Sequence, residues 1–586
     1  MNIAEFLNKN VKRFPQKASV GFKKNNEWKE LTWARFQKTV FKTANALAEA
    51  GVRKDDKVAI YADNSPEWMI MDLATLCLGA VTVPIYSTNG TEQVEYIFHH
   101  AEPKIIFAGN EEQYDICHEL LGKSQNVELI ISAKSNFKLK DKSVSLQDFI
   151  ENTSEKFDIV ERTDDDVATI IYTSGTSGIP KGVMITHGNF QDTFEKHVKF
   201  FNFKNFEGEH SLAFLPLSHV FERSWTLFCF SQGAKVSFLE NPKLIANALT
   251  EVSPTTMCSV PRFYQKIYAG INEMLATASP TKKKIFAWAI QNGTQVSELK
   301  RDQQKIPFLL NQKYKIANAL VFNKIKTKLG GRLWFMPCGG ASISEEVTKF
   351  FDAMGIHITV GYGMTETTAT VTAFPFTNYK YGSAGKLLGD SQIKIGENDE
   401  ILVKGSGIMK GYYKNPEETA KVFTEDGWMK TGDAGIFDNE GNLTITDRIK
   451  DLMKTSNGKY IAPQPIENLF SNNSYINQIM LVAEDKPFVS ALIVPNFETL
   501  EEKLKSLGVT FTNWKEVVEN EKVQKFYQEL IDGIQTHLSG FEKIKKFILM
   551  PADFEIQSGE ITPTLKIKRN IVLEKYSDKI NAIYIK

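Results

Sequence analysis

Asp166-Val-Ala-Thr-Ile-Ile-Tyr-Thr173-Ser-Gly-Thr-Ser-Gly-Ile-Pro-Lys181-Gly-Val-Met-Ile185 is the stretch on which the reading of this chain turns. An apolar run reads as a buried strand, and a second β run closes the stretch. Between them lie six consecutive Ser, Thr and Gly residues, followed by Ile-Pro-Lys-Gly. Hydroxyls and open backbone N–H groups suit phosphate oxygens, glycines let the backbone approach closely, and Lys181 adds a point charge. The segment is not a G-x4-G-K-[ST] loop, because Lys181 follows Pro180 and a β run stands where such a loop would open a helix. Alone, it reads equally as a phosphate cradle or a polar turn.

Around this stretch, strand-like and helix-like segments alternate through the first 380 or so residues. Residues 57–61, 81–85, 104–108 and 128–132 read as strands apolar on both faces. Ser65-Pro66-Glu67 opens a helix with an N-cap serine and a first-turn proline, and the apolar run from Trp68 to Leu78 continues it. This pattern predicts mostly parallel sheets covered by helices. From Gly385 to Thr446 the chain is richer in Gly and Asp, with short runs such as 401–404 and 442–446 that read as antiparallel β structure. A smaller α/β tail is expected from Asp447-Arg-Ile-Lys-Asp451 onward.

Composition narrows the function classes. The 586 residues suggest two to four globular units, and the 42% apolar and 24% charged content is that of an ordinary globular chain. Seventy basic residues balance seventy acidic ones, which argues against a nucleic-acid-coating protein. Five scattered cysteines with no CxxC pair predict neither a disulfide framework nor a zinc site, and point to a reducing cytoplasm. The N-terminus lacks a signal-peptide core, and the uncharged run at 73–90 is broken by Gly79 and Pro84, so no membrane span is expected. The neutral sum hides one biased region. Between Thr281 and Arg332, twelve basic residues face only Glu298 and Asp302, with Phe286, Trp288, Phe308, Leu309 and Phe322 among them. Two readings stay open there: a solvated helical face, or a surface for anionic lipid or another anionic ligand.

Further motifs follow in order: Leu215-Pro-Leu-Ser-His219-Val-Phe-Glu222, Cys338-Gly339-Gly340-Ala341, Gly361-Tyr-Gly-Met-Thr365-Glu366-Thr367, Thr431-Gly432-Asp433, Asp447-Arg448-Ile-Lys450-Asp451 and Thr562-Pro-Thr-Leu-Lys566. Together with Thr173-Ser-Gly-Thr-Ser-Gly-Ile-Pro-Lys181, this series resembles the adenylate-forming superfamily of acyl-CoA synthetases, luciferases and peptide-synthetase adenylation domains. The wording Pro-Leu-Ser-His-Val-Phe-Glu-Arg, with Lys459-Tyr-Ile-Ala-Pro-Gln-Pro-Ile-Glu467, is most similar to the long-chain fatty acid–CoA ligase branch.

The resemblance implies an α/β fold: a large N-terminal domain (1–449) of packed αβ subdomains with a small β-barrel-like subdomain, and a smaller, mobile α+β C-terminal domain (450–586). It also implies ATP, Mg²⁺ and coenzyme A as cofactor and co-substrates, a fatty acid as substrate, and no nucleic-acid partner. Thr173, Ser174, Gly175, Thr176, Ser177, Gly178 and Lys181 would hold phosphates. Gly339, Gly340 and Ala341 would lie against adenine, with Tyr362 and Gly363 as its floor. Thr365 would meet a phosphate oxygen and Glu366 would bind Mg²⁺. Asp433, read as sitting on a turn, would accept the ribose hydroxyls, with Arg448 nearby. Lys450 would be the hinge, and Gly458 would face coenzyme A after rotation. His219 is expected beside the substrate carboxylate rather than as a base, because a carboxylic acid with a pKa near 4 is already ionised at neutral pH. Lys566 is expected to bridge carboxylate and α-phosphate. Many relatives have Ser-Gly-Lys where this chain has Thr-Leu-Lys, so Lys568 stays open as the alternative; in a strand the two would share one face.

Phe214, Phe221, Trp225, Phe228 and Phe230 could wall an acyl tunnel or belong to the core. Medium-chain or aryl acyl-CoA ligase, acyl-AMP ligase serving a carrier protein, and non-catalytic nucleotide binding are the competing activities. The residues fix neither oligomeric state nor chain length. The expected location is cytoplasmic, with any membrane contact peripheral and made through 281–332.

Overall fold

The computed structural model describes residues 2–123, 126–174, 179–449, 452–555, 557–562 and 566–585. Its centre is an eight-stranded sheet. Six strands run parallel: Ser143–Ser145, Leu129–Ser132, Ile105–Ala108, Lys57–Tyr61, Val81–Ile85 and Val167–Ser174, in that spatial order. The sheet then turns antiparallel through Pro180–Thr186 and ends on Gly411–Tyr412. The inner strands are buried on both faces, which explains their unbroken apolar runs. Helix Pro66–Cys77 covers one face, and its start is fixed as expected by Ser65, whose side chain accepts the Trp68 N–H at 3.1 Å.

A second sheet holds His210–Ala213, Lys235–Phe238, Ala18–Lys24 and Glu27–Thr32, and a third holds Phe335–Cys338, His357–Tyr362, Thr372–Ala373 and Lys386–Leu387. Isolated bridges at Thr256 link Ser211 to Phe335 and so join the two edges. The Gly-rich stretch forms an antiparallel four-stranded sheet of Gln392–Ile395, Glu400–Lys404, Met429–Phe437 and Leu443–Arg448. Asp447 and Arg448, read from sequence as the start of the tail, are the last residues of its final strand.

Beyond residue 452 a separate core forms around the sheet Ile476–Val482, Ser490–Pro495 and Lys546–Leu549, packed by helices Pro463–Ser471, Phe497–Leu507 and Glu521–Ile534. All five cysteines are buried and free. Among the described residues, no helix is long and apolar enough to cross a membrane. The aromatic residues offered as a tunnel wall are mostly core. Phe230 packs against Phe6, Trp33 and Phe36, while Trp225 and Phe228 pack against Phe206. Phe221 alone of the five is only half-buried.

Candidate active site

Strands Val167–Ser174 and Pro180–Thr186 form a hairpin with Thr173 opposite Lys181 and Ser174 opposite Pro180. Gly175, Thr176, Ser177 and Gly178, and the side chain of Ser174, lie outside the described residues. Gly182 is required by packing, because a Cβ there would come within 2.7 Å of Ile170 Cγ2. Lys181 precedes it in the same strand. Its ammonium pairs with Glu418 and lies 5.1 Å from the centre of the Tyr412 ring. Tyr412 belongs to the edge strand beside the hairpin, and its hydroxyl donates to Glu366 Oε1 at 2.9 Å. Glu366 and Thr365 are buried in the short 3-10 turn Thr365–Thr367, and burial pushes the Glu366 pKa upward. One cation and one buried carboxylate, 185 residues apart in the chain, thus flank a single tyrosine.

Tyr362 ends strand His357–Tyr362, four residues before Glu366, and its hydroxyl donates to Asp433 Oδ2 at 2.7 Å. Asp433 Oδ1 lies 3.2 Å from Arg448 Nε. Asp433 was expected on a turn; it stands instead inside strand Met429–Phe437, directly opposite Arg448. The positive φ of Gly432 (72°) is the residue of turn character that the sequence signalled, and the strand continues through it. Gly363 is held tightly, since a Cβ would stand 2.2 Å from the Ala369 carbonyl oxygen. Gly339, Gly340 and Ala341 form the loop after strand Phe335–Cys338, with Gly340 at φ 90° and the Phe221 ring 3.5 Å from the position of a Cβ on Gly339.

His219 caps helix Val220–Ser231, and its Nδ1 accepts the Phe221 N–H at 3.1 Å. The ring proton therefore sits on Nε2, leaving that N–H free to donate. Burial, reinforced by the charge of Lys566, lowers the His219 pKa to about 4, so the ring is neutral at pH 7. Two residues that sequence reasoning did not assign hold the loop before it. Asn64 Oδ1 accepts the Leu217 N–H at 2.9 Å, and its Nδ2 donates to the Leu215 carbonyl at 2.7 Å. Glu222 Oε2 accepts the Leu215 N–H at 3.0 Å, and complete burial raises its pKa to about 8.

Lys566 reaches this region from the C-terminal domain. Its N–H donates to Thr562 Oγ1 at 3.0 Å, and its carbonyl accepts the Thr562 N–H at 2.7 Å. The two lysines do not share a strand face: Lys566 is in a loop, and Lys568 is the N-cap of helix Arg569–Lys575. Across the same domain boundary, Arg262 donates to the carbonyl and side chain of Asn477, whose Nδ2 donates to Asp553 Oδ1 at 2.7 Å. Gly458 is not brought to this site. It lies on an exposed turn at φ 74°, in a segment whose hydrogen bonds run to Lys486 and Pro487 of its own domain. Lys450 lies outside the described residues. Tyr412, Glu418, Asn64, Arg262 and Asn477 gave no sequence signal beyond ordinary polar or aromatic character.

The arrangement offers a cation for phosphate, a carboxylate for a hard metal ion, an acidic hydrogen-bond acceptor beside an aromatic ring, and a second cation from another domain. Among the described residues, no three His, Cys, Asp or Glu side chains cluster to hold a metal by themselves.

Comparison with known proteins agrees over most of the chain. A family model described as AMP-binding enzyme matches residues 7–413, and one described as AMP-binding enzyme C-terminal domain matches 450–586. The long-chain-fatty-acid–CoA ligase FadD15 of Mycobacterium bovis is 32% identical over 561 residues, covering 95% of this chain and 93% of that protein. The peroxisomal long chain acyl-CoA synthetase 6 of Arabidopsis thaliana is 31% identical over 592 residues, covering 95% of this chain and 82% of that protein. In fold, the chain is similar to the adenylation domain of a carboxylate reductase from Mycobacterium chelonae, with a TM-score of 0.78 at 19% identity, covering 100% of this chain and 91% of that one.

Proposed function

The chain belongs to the AMP-binding enzyme family of adenylate-forming enzymes, and from that membership we propose that it joins a long-chain fatty acid to coenzyme A at the expense of ATP. The observation that carries this reading is the charge of Lys566, from one domain, acting on His219 of the other, in a chain that also gathers Lys181, Tyr412 and Glu366 into one buried corner. In the first half-reaction a fatty carboxylate oxygen bonds to the α-phosphorus of ATP and the bond to the β-phosphate oxygen breaks, giving acyl-adenylate and pyrophosphate. Lys181 neutralises phosphate charge once released from Glu418. Neutral His219 donates from Nε2 to the carboxylate, and Lys566 offsets charge that grows in the transition state. Asp433 accepts the ribose hydroxyls, with Tyr362 beneath the base.

A magnesium ion fits Glu366. The Tyr412 hydroxyl engages Oε1, Arg448 and Lys181 act on the carboxylate only through their charge, and burial raises its pKa, so a hard cation beside it would stabilise the ionised form. Such an ion takes one or two carboxylates together with substrate phosphates, and bound here it would neutralise phosphate charge. In the second half-reaction the coenzyme A thiol bonds to the acyl carbonyl carbon, and AMP leaves. The C-terminal domain, from about residue 450, would rotate between the halves, carrying Lys566 away and bringing the turn at Gly458 in.

The test is pyrophosphate release that depends on fatty acid, with thioester formed only when coenzyme A is added. Adenylate that persists with coenzyme A but is consumed by a carrier protein would replace this reading with an acyl-AMP ligase. Initial rates across a chain-length series would rise toward long chains; a maximum with medium-chain or aromatic acids would overturn the long-chain assignment.

A further inference from the structure

The net +10 of residues 281–332 sits in a chain whose total charge is zero. The structure folds it into helix Pro280–Arg301, helix Phe308–Ala317, a wide turn Asn318–Phe322 and helix Asn323–Lys328. The first helix packs against the rest of the run, as shown by Lys300 over the Tyr314 ring at 5.7 Å and by Gly293 against Phe322 of the turn. Ala289, Val296, Ala317 and Phe322 are buried by this packing. The opposite face should then be polar, and it is not. Phe308 and Leu309 are 73% and 74% exposed, and Ile316 and Leu320 are each 51% exposed. Steps of seven and four residues from Leu309 to Ile316 to Leu320 keep these side chains on one side of the helical run. Exposed Lys313, Lys315 and Lys324 stand among them. Met274, also exposed, has the Lys328 ammonium 3.8 Å from its sulfur.

We propose that this face is a docking surface for a bilayer carrying anionic headgroups. The apolar row is placed to enter the acyl boundary, while the lysine stems lie along it and their ammonium groups reach the headgroup phosphates. Charge complementarity with an acidic leaflet supplies the electrostatic part. Lysines alone would serve a soluble polyanion, which has no use for four exposed apolar side chains in thirteen residues. The surface uses none of the side chains assigned to the ligation chemistry, so its test is separate from that of the activity.

The full chain is sedimented with vesicles of phosphatidylcholine alone, and with vesicles of one part phosphatidylglycerol to three of phosphatidylcholine. Binding is expected only to the anionic vesicles and is expected to collapse at high salt. A Lys313→Gln/Lys315→Gln/Lys324→Gln variant should bind on the order of 100-fold more weakly, at about fivefold per lysine. A Phe308→Ser/Leu309→Ser variant should lose at least about tenfold. Because these side chains face solvent, both variants should keep the wild-type melting temperature. If the double variant does not, single Leu309→Ser carries the apolar test. Equal partition onto neutral vesicles, or undiminished binding by the lysine variant, would overturn the proposal. Retention on heparin that survives loss of Phe308 and Leu309, with no vesicle binding, would overturn it in favour of a soluble polyanion.

Discussion

Lys566 and Glu222 carry the sharpest consequences of single side chains. Replacing Lys566 by Ala should slow acyl-adenylate formation by about 10² to 10³, the usual cost of removing one group that stabilises transition-state charge. Thioester formation from supplied acyl-adenylate should persist. Equal loss of both steps would refute the assignment, and loss on Lys568→Ala instead would move the role two positions along. Glu222 makes a prediction about pH. Its folded pKa is raised to about 8 from the usual carboxyl value. Between roughly pH 4.5 and 8 the folded chain therefore holds a proton that the unfolded chain has lost. Rising pH through that window favours unfolding, and the effect ends once Glu222 ionises in the folded state as well. The loss is on the order of 5 kcal/mol. Glu222→Gln keeps an acceptor for the Leu215 N–H but cannot titrate, so urea unfolding should show a flatter pH dependence for it. Parallel wild-type and variant curves would exclude the buried-acid reading.

Tight backbone approach sets the behaviour of the turn Thr365–Thr367. Its entry at Gly363 faces the Ala369 carbonyl oxygen, a rigid neighbour that cannot swing aside for a methyl group. Gly363→Ala should cost about 1 to 3 kcal/mol of stability. It should also displace Thr365 and Glu366, abolishing the rise in melting temperature expected of the wild type when ATP and magnesium are added. A variant that melts lower yet keeps the full ligand-induced rise would show that the turn tolerates the shift. The contrast with Gly432 and Gly458 is physical. Nothing lies within 4 Å of a Cβ at either, so those glycines serve backbone conformation rather than close approach.

Across the whole molecule, the contact of Arg262 with Asn477, itself bonded to Asp553, ties the C-terminal domain to the N-terminal body in the arrangement where the charge of Lys566 reaches His219. Burial lowers the Arg262 pKa to about 10, and the guanidinium still remains charged at neutral pH. Arg262→Ala should weaken this arrangement and slow the first half-reaction about tenfold, equivalent to about 1.4 kcal/mol. The second half-reaction, measured from supplied acyl-adenylate, should hold or rise. Unchanged pyrophosphate release would show that the contact does not govern domain position.

Residues 57–61, 81–85 and 167–174 could be placed as buried strands from the chain alone, because period and apolar content are local properties. Lys181, Glu366, Asp433 and Lys566 could be singled out as candidates because each sits in a short motif whose order along the chain is itself informative. That Glu418 holds Lys181, that Tyr412 bonds Glu366, and that Asn64 fixes the loop before His219 could not be read this way. Each joins residues 46 to 237 positions apart, and only packing selects such partners. The same limit applied to the basic stretch at 281–332. Its charge was plain in the sequence, but whether Phe308 and Leu309 turned inward or outward depended on which helix face Gly293 and Phe322 closed. That was decided by tertiary packing, because a helix has one buried side and its partner determines which side that is.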